Sequence, residues 1–494
     1  MGVIKQQTIK GTIYSYAGIL IGFITIVLLQ PHALTTEQVG LTQLLISFSG
    51  LFGQFASLGF PGTARYFPYF RNQEKGHHGY LFLFCIVALA GTLLMIILAW
   101  AFKDQIISSK SGESSLFGQY YWYLLPLIVF TTFFNVFERY AMMLYNTSSG
   151  RILREFTKRI FILVPVLLFY FQLISFELFM ILWLVANVLP TLLMLRRLIA
   201  DGHFFFKPDF KFLDGGMRSK LINISAWGLF VGSSPLIIES IDKYIIHKQF
   251  GLDATGIYSI AFQFAIIVSL PSRSLYSIAF AVVAEAWKEN DLKTIRDVYA
   301  KSCIVQIITT LLLVILVWAN INNIFQILPA NYESGKYVIL FICLAHLVDA
   351  STGINTAILA SSKFYKYDGI FTLSLAGLTI LTNIWLIPIF GITGSAIAMF
   401  ITIAAINIFR YLFLLFAFKL QPFTIKSPIA LLVGILIYFL SLWLIPKFDN
   451  FVVDIVVRSG FITAFYGGCV YSLKLSDDIT HTIDGYLQKM KALF

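Results

Sequence analysis

Apolar runs of about 20 residues, separated by short polar connections, recur along almost the whole of this 494-residue chain. A membrane-spanning helix needs that length, because lipid offers no hydrogen-bonding partner to an unpaired backbone group. The pattern therefore predicts an all-α integral membrane protein with about 14 transmembrane helices. The predicted spans are 11–30, 39–60, 80–102, 118–145, 152–170, 175–195, 221–245, 254–284, 300–320, 337–360, 368–387, 391–414, 428–446 and 451–473.

Composition excludes a water-soluble protein. Hydrophobic residues make up 58% of the chain and charged residues 12%, and the mean hydropathy is +0.81. Soluble domains average roughly 45–50% apolar and 25% charged residues. A large soluble protein with buried strands would need charged helices on its outer faces, and the sequence contains none.

The basic residues are distributed unevenly between the loops on the two predicted sides. About 28 of the 36 lysine and arginine residues fall on one side when alternate loops are compared. Positively charged loops remain in the cytoplasm, so both termini are predicted to be cytoplasmic. The net charge of +11 then reflects topology and contact with anionic lipid, and not nucleic acid binding.

The longest predicted connection, 196–220, is rich in Gly, Pro and Asp and is interpreted as a linker between two bundles. The predicted organisation is an N-terminal six-helix bundle, a cytoplasmic linker, a C-terminal six-helix bundle, and a last part with two further spans and a cytoplasmic tail. These parts comprise residues 1–200, 201–220, 221–418 and 419–494.

A short internal repeat connects the two predicted halves. The segment "LTTEQVGLTQLLISF" (34–48) aligns with "FGLDATGIYSIAFQF" (250–264), so that Glu37 matches Asp253 and Gly40 matches Gly256. An acid in the first turn of a helix is also an ordinary helix-start signal. The equivalent position in the two halves favours a repeat-built bundle, as found in secondary transporters.

Three segments resemble a known family. "ALTTEQVGLTQLLISFSGLFGQFASLGFPGTARYF" (33–67), the stretch 237–261 continuing through 273–302, and "FGITGSAIAMFITIAAINIFRY" (390–411) resemble the polysaccharide flippases. That family belongs to the multidrug/oligosaccharidyl-lipid/polysaccharide exporter superfamily, together with multidrug/toxin extrusion antiporters and the bacterial lipid II flippase.

The resemblance implies two six-helix bundles facing each other as a V, with two extra C-terminal helices, working by alternating access. It implies a flippase of the bacterial cytoplasmic (inner) membrane that moves a polyprenyl-pyrophosphate-linked oligosaccharide to the outer leaflet. The pathway would be O-antigen, lipopolysaccharide or other cell-envelope polysaccharide synthesis, with other polysaccharide-assembly membrane proteins as partners. No cofactor is expected, and energy would come from a proton or sodium gradient or from mass action.

Four arginines are candidate substrate-binding residues. Arg273 lies near the middle of the predicted span 254–284, and its planar guanidinium suits a pyrophosphate. The other three lie near predicted inner ends, where the distribution of basic residues alone would also place them. They are Arg65, Arg139 and Arg410.

Ion coupling is predicted at acidic and histidine side chains within the spans. Asp349 and His346 lie three residues apart in a polar part of the span 337–360, and Glu138 lies low in the fourth span. A structural hydrogen bond between helices is the alternative interpretation of His346 and Asp349. Pro235 and Pro271 are predicted hinges, because proline frees backbone groups in a membrane helix.

Three charges cluster in the outer third of the predicted span 221–245. Glu239, Asp242 and Lys243 have spacings that place them on one helical face. They are interpreted as a gate or bundle contact. Plain structural pairing, in which Lys243 neutralises Glu239, is the alternative.

Several observations limit the function. The chain has no G-x-x-x-x-G-K-[ST] loop for ATP, and its short predicted outer loops carry no carboxylate pair or Ser/His constellation, so it is predicted not to be an enzyme. "GHHG" (76–79) is interpreted as a solvated loop and not as a metal site. Asp454 and Arg458, four residues apart, are interpreted as a self-contained ion pair.

Two other functions remain as alternatives. An ion-coupled multidrug or cation antiporter of the same superfamily would need an acidic cavity, which the basic excess disfavours. A polytopic polysaccharide polymerase is disfavoured by the short predicted outer loops.

Overall fold

The computed structural model describes residues 14–110, 112 and 115–491. These residues form helices and the connections between them, with no strand in the described ranges. Lys5 and Lys10, which precede the predicted first span, lie outside the described residues. The predicted cytoplasmic location of both termini stays a prediction.

Twelve helices in the described part of the chain are long and apolar enough to cross a membrane. Labelled α1 to α12 in chain order, they are Tyr14–Ala33, Thr36–Ala56, Gly76–Ala101, Leu116–Met143, Phe176–Ala200, Gly215–Glu289, Leu292–Ala319, Ala330–Ser351, Tyr365–Phe390, Ile392–Phe418, Lys426–Leu444 and Phe451–Ser472. The predicted all-α membrane fold class is confirmed.

The pattern of apolar runs predicts 14 spans, two more than these twelve helices. The difference arises at two places in the chain. The predicted span 152–170 is a short π-helix, Leu153–Thr157, followed by a 13-residue helix, Lys158–Tyr170. The two predicted spans 221–245 and 254–284 both lie within α6, which is broken at Gly251, where φ is 83°. Only glycine readily adopts that backbone conformation. The larger count stays a prediction.

The chain divides into two compact units, Met1–Ile260 and Ala261–Phe494. An aromatic cluster that includes Phe67, Phe70, Tyr80 and Tyr140 forms a core of the first unit. In the second unit, apolar residues of α7 pack against α11 and α12. The predicted bundle boundaries are not tested by this division and remain predictions.

The start of α2 shows how local sequence fixes an element. The Thr35 hydroxyl accepts a hydrogen bond from the Gln38 backbone N–H, and the Gln38 side chain accepts one from the Thr35 backbone N–H. This reciprocal capping box satisfies two of the donors that every helix start leaves unpaired. Glu37 lies in the first turn, so its local role as a helix-start signal also holds.

Residues 201–214, the connection before α6, are fastened to the turn Gly76–Gly79 at the start of α3. The His78 Nδ1 atom lies 2.9 Å from Asp209 Oδ2, and its ring stacks on Phe212 at 3.9 Å. A carboxylate only accepts hydrogen bonds, so Nδ1 donates. A Cβ on Gly79 would lie 2.6 Å from the Lys207 carbonyl oxygen. We call this contact between His78, Gly79 and residues 207–212 the linker clamp.

The interpretation of "GHHG" as a solvated loop is wrong. His77 is only 3% exposed, and its ring contacts Phe67 and Phe205. His77 and His78 both have positive φ angles, 50° and 47°, in a tight left-handed turn. The linker covers this turn, and such a contact between distant segments leaves no signal in the local sequence.

We expect His78→Ala to loosen the linker clamp, measured as faster hydrogen–deuterium exchange of residues 203–213. The hydrogen bond from His78 holds the pKa of Asp209 below its usual value. The clamp's contribution to stability is therefore complete above the ordinary aspartate pKa of about 3.9 and is lost as the pH falls through the lower, folded-state pKa. His481→Ala, at an exposed histidine, is the control. Unchanged exchange at neutral pH in His78→Ala would contradict the assignment.

Candidate functional site

The charged cluster of α6 lies partly in the protein interior. Asp242 and Lys243 are 4% and 7% exposed, whereas Glu239 is exposed. The Asp242 carboxylate accepts hydrogen bonds from the Tyr258 hydroxyl and from the Lys243 backbone N–H, the latter at 2.7 Å. Lys243 Nζ donates to Ser47 Oγ at 3.3 Å. Asp242 thus joins the two parts of α6 across the Gly251 break, and Lys243 joins α6 to α2.

A second polar site surrounds a break that follows α8, a candidate membrane-spanning helix of the second unit. α8 ends at Ser351, Gly353 has a φ of 64°, and a new helix runs from Asn355 to Ser361. Broken helices in membrane proteins are tolerated where they are buried in protein or line a polar cavity. This is therefore a position where polar side chains and backbone groups can be presented to a ligand.

Four polar side chains form one hydrogen-bonded network at this break. Thr352 Oγ1 and Asn355 Nδ2 both donate to Asn407 Oδ1 at 2.8 Å. Asn407 Nδ2 donates to Asp349 Oδ1 at 3.0 Å. Because this bond uses one carboxylate oxygen and Asp349 is exposed, the carboxylate retains capacity to accept a proton or a cation.

The structure brings together three of the predicted site residues. Both Arg273 and Asp349 act electrostatically on the His346 imidazole. His346 Nε2 is buried without a hydrogen-bond partner in the described part of the chain. Arg273 itself is exposed. We call Arg273, His346, Asp349 and Asn407 the break site.

The sequence predicted Arg273 and the His346–Asp349 pair as separate sites. Their proximity depends on the packing of α6 near α8, which residue spacing does not reveal. Asn407 was missed, although an asparagine three residues before Arg410 in an apolar run is a readable signal. Thr352 and Asn355 fall in the stretch "DASTGINTAIL", whose polarity was the correct indication.

Arg410 occupies a different environment from Arg273. It is 6% exposed, and its Nη2 atom lies 3.1 Å from Asp368 Oδ1 and 3.2 Å from Thr372 Oγ1. These contacts join α9 and α10. Substrate binding by Arg410 stays a prediction, and its surroundings favour a helix-pairing role.

The remaining candidates of the first unit lie around α4. Arg65 and Arg139 are exposed, and the Arg65 guanidinium lies 5.5 Å from the Tyr66 ring centroid. Glu138 forms an ion pair with Arg154, which also donates to Asn135 Oδ1 at 2.8 Å. The predicted coupling acid Glu138 therefore already has a cationic partner, and its coupling role stays a prediction.

The two predicted hinge prolines differ in their setting. α6 continues as a helix through Pro235. Pro271 lies at the start of the helical stretch Leu270–Glu289, directly after the short 3₁₀ turn Ile267–Ser269. A local irregularity therefore precedes Arg273 by one turn. Motion at either proline stays a prediction.

Solved structures with the same fold are known. The lipid II flippase MurJ in an inward closed conformation matches with a TM-score of 0.70 at 15% identity, covering 94% of this chain and 99% of that one. An inward-facing multidrug resistance MATE transporter matches with a TM-score of 0.61 at 13% identity, over 81% and 93% of the two chains. A MOP superfamily transporter from Pyrococcus furiosus matches with a TM-score of 0.52 at 13% identity, over 83% and 93%. No family model and no curated protein matches the sequence.

At these identities the likeness establishes the fold. The chain has the architecture of MOP superfamily membrane transporters, and the resemblance inferred from the sequence is confirmed at that level. The similar proteins are transporters and flippases, and not enzymes.

Proposed function

We propose that this protein is a flippase that carries a polyprenyl-pyrophosphate-linked sugar from the inner to the outer leaflet of the bacterial cytoplasmic membrane. Alternating access would supply intermediates for cell-surface polysaccharide such as O-antigen. The observation that carries the proposal is Arg273, an exposed guanidinium on the membrane-spanning helix α6. A charge within a membrane-spanning segment costs up to roughly 2.5–3.5 kcal/mol on insertion scales, so an arginine there calls for polar surroundings or an anionic partner. Beside Asp349, an exposed guanidinium can also accept an anionic substrate.

A pyrophosphate fits the chemistry of this position. The guanidinium is always charged and offers a planar set of donors that matches phosphate oxygens. Arg65 and Arg139 are also exposed, and the sequence pattern places both near the inner ends of their spans, on the side from which the substrate would enter. The similarity to a protein named as a lipid II flippase supports a lipid-linked substrate.

The break site would couple transport to an ion gradient. Asp349 offers a carboxylate held by Asn407 at 3.0 Å, and His346 offers a nitrogen without a partner among the described residues. Protonation of these groups, or sodium binding to them, would lower the negative charge beside Arg273. Substrate binding and ion binding would therefore affect each other electrostatically.

Reconstituted vesicles test the proposal directly. We expect the wild-type chain to translocate a polyprenyl-pyrophosphate sugar and Arg273→Ala to lose about 10- to 100-fold of that rate, since a hydrogen bond to a charged group contributes about 1.5–3 kcal/mol. Arg273→Lys should retain an intermediate rate. Arg296→Ala, at an exposed arginine of α7, is the matched control. Equal transport rates in Arg273→Ala and Arg296→Ala would contradict the proposal that Arg273 binds the substrate.

The likeness to a MATE transporter favours ion-coupled drug or cation antiport as the second candidate function. In that case the exposed carboxylate of Asp349 would bind the cation. The same vesicles, loaded with a cationic dye, distinguish the two. Gradient-driven dye efflux without sugar-lipid translocation would favour the antiporter.

A further inference from the structure

The two aligned segments of the internal repeat contact each other through their backbones. A Cβ placed on Gly40 would lie 2.0 Å from the Leu252 carbonyl oxygen, and a Cβ on Gly256 would lie 2.0 Å from the Thr36 carbonyl oxygen. No side chain fits at either distance. The two helical segments therefore touch at a spacing that only glycine permits.

This contact has local two-fold symmetry. In the repeat alignment Thr36 matches Leu252, and Gly40 matches Gly256. Gly40 contacts Leu252, and Gly256 contacts Thr36, so each segment uses the same pair of aligned positions. Such reciprocal contacts are typical of an isologous interface. Close approach at small residues also allows Cα–H···O contacts, which stabilise helix pairs in membranes. We call Thr36, Gly40, Leu252 and Gly256 the outer latch.

Polar contacts strengthen this end of the helix pair. Thr36 Oγ1 donates to Asp253 Oδ1 at 2.5 Å. Lys248 Nζ donates to the Ser108 carbonyl oxygen at 2.9 Å and also to that of Gln105. The distribution of basic residues predicts that these segments lie on the outer side of the membrane.

A second glycine contact lies at the other end of the same helix pair. A Cβ on Gly59 would lie 2.0 Å from the Ser225 carbonyl oxygen, and one on Gly228 would lie 2.8 Å from the Gly59 carbonyl oxygen. We call these residues the inner latch. The segments 36–62 and 225–256 are therefore in backbone contact at both ends.

We infer that the outer latch is the reversible seal on the outer side of the transport path, and that the absence of a side chain at Gly40 and Gly256 sets its stability. This inference rests on the proposed function. The inner latch is the counterpart of the outer latch on the opposite side of the transport path. Any side chain at position 40 or 256 forces the backbones apart and shifts the population toward outward opening.

Access to a buried reporter between α2 and α6 measures this opening. Ser47 is 7% exposed and accepts a hydrogen bond from Lys243, so Ser47→Cys places a nearly isosteric thiol behind the latch. The probe is a membrane-impermeant maleimide added from outside, and the chain without the reporter corrects for its native cysteines. We expect Gly40→Val and Gly256→Val to raise the labelling rate of the reporter at least tenfold.

Gly50 provides the matched control on the same helix, because nothing lies within 4 Å of a Cβ placed there. Gly50→Val should label like the parent chain. Labelling in Gly40→Val equal to that in Gly50→Val would overturn the inference. If the valine variants do not fold, Gly40→Ala and Gly256→Ala replace them, and parental labelling in both of these would equally overturn it.

Labelling requires no substrate, so the outcome is separable from the proposed function. If the valine variants raise the labelling rate but the protein does not transport a sugar-lipid, the proposed flippase function is refuted and the inference about the outer latch stands. If the protein transports a sugar-lipid but substitution of Gly40 and Gly256 leaves the labelling rate unchanged, the inference about the latch is refuted and the proposed function stands.

Discussion

Replacing Asp349 with asparagine is expected to abolish the response of transport to an ion gradient. The change keeps the shape of the side chain and its contact with Asn407, which lies 3.0 Å away, but it removes the charge and the titrating proton. Gradient-stimulated flux in vesicles should fall about tenfold or more, to the level without a gradient, because an asparagine amide has no charge to attract a cation and no proton to release.

The control is Asp297→Asn, at an exposed aspartate of α7. Asn407→Ala should weaken the gradient response only partially, because the Asp349 carboxylate remains but loses the hydrogen bond that orients it. A wild-type response to the gradient in Asp349→Asn would exclude the break site from coupling. The measurement is initial flux at a series of imposed pH and sodium gradients, which also identifies the ion.

Arg458→Met is expected to lower the stability of the folded chain by roughly 3–5 kcal/mol, because it leaves a buried carboxylate without its partner. Arg458 Nη2 lies 2.9 Å from Asp454 Oδ1, and both residues are buried. Arg458 also donates to the Ser441 carbonyl oxygen at 3.0 Å, and Asn323 donates to Asp454. The pair therefore fastens α12 to its neighbours.

The paired replacement Asp454→Leu with Arg458→Met should recover most of the loss, because it removes both charges together. Thermal unfolding in detergent measures the effect, and Arg296→Met serves as an exposed control. A melting temperature of Arg458→Met equal to that of the control would contradict the buried pair as a stabilising contact.

The sequence predicted features that depend on neighbouring positions along one helix. Apolar runs predicted the all-α membrane fold, and the four-residue spacing of Asp454 and Arg458 predicted their ion pair, which the structure contains. The polar stretch around Asp349 correctly marked a special part of α8. Each of these signals is written in consecutive residues and needs no tertiary information.

The features that sequence reasoning missed depend on segments far apart in the chain. The spacing of the charged residues offered Glu239 as a neutralising partner of Lys243, as the alternative to a gate or bundle contact. It gave no indication that the Lys243 ammonium donates to Ser47 of α2. The repeat identified Gly40 and Gly256 as equivalent, but nothing in one sequence indicates that equivalent residues touch. Proximity of Arg273 to His346 likewise requires the packing of two helices.

The linker clamp has a consequence for biogenesis. The left-handed turn at His77 and His78 is covered by residues about 130 positions later in the chain, so at 5–20 residues per second the ribosome needs on the order of ten seconds to supply the cover. During that interval the apolar part of α3 can enter the membrane while the turn at its start, with a histidine that will later be buried, remains open to the cytoplasm by the predicted topology. The inner end of the first unit therefore completes its folding only when Asp209 and Phe212 emerge. Synthesis order makes the linker a late closing step in maturation.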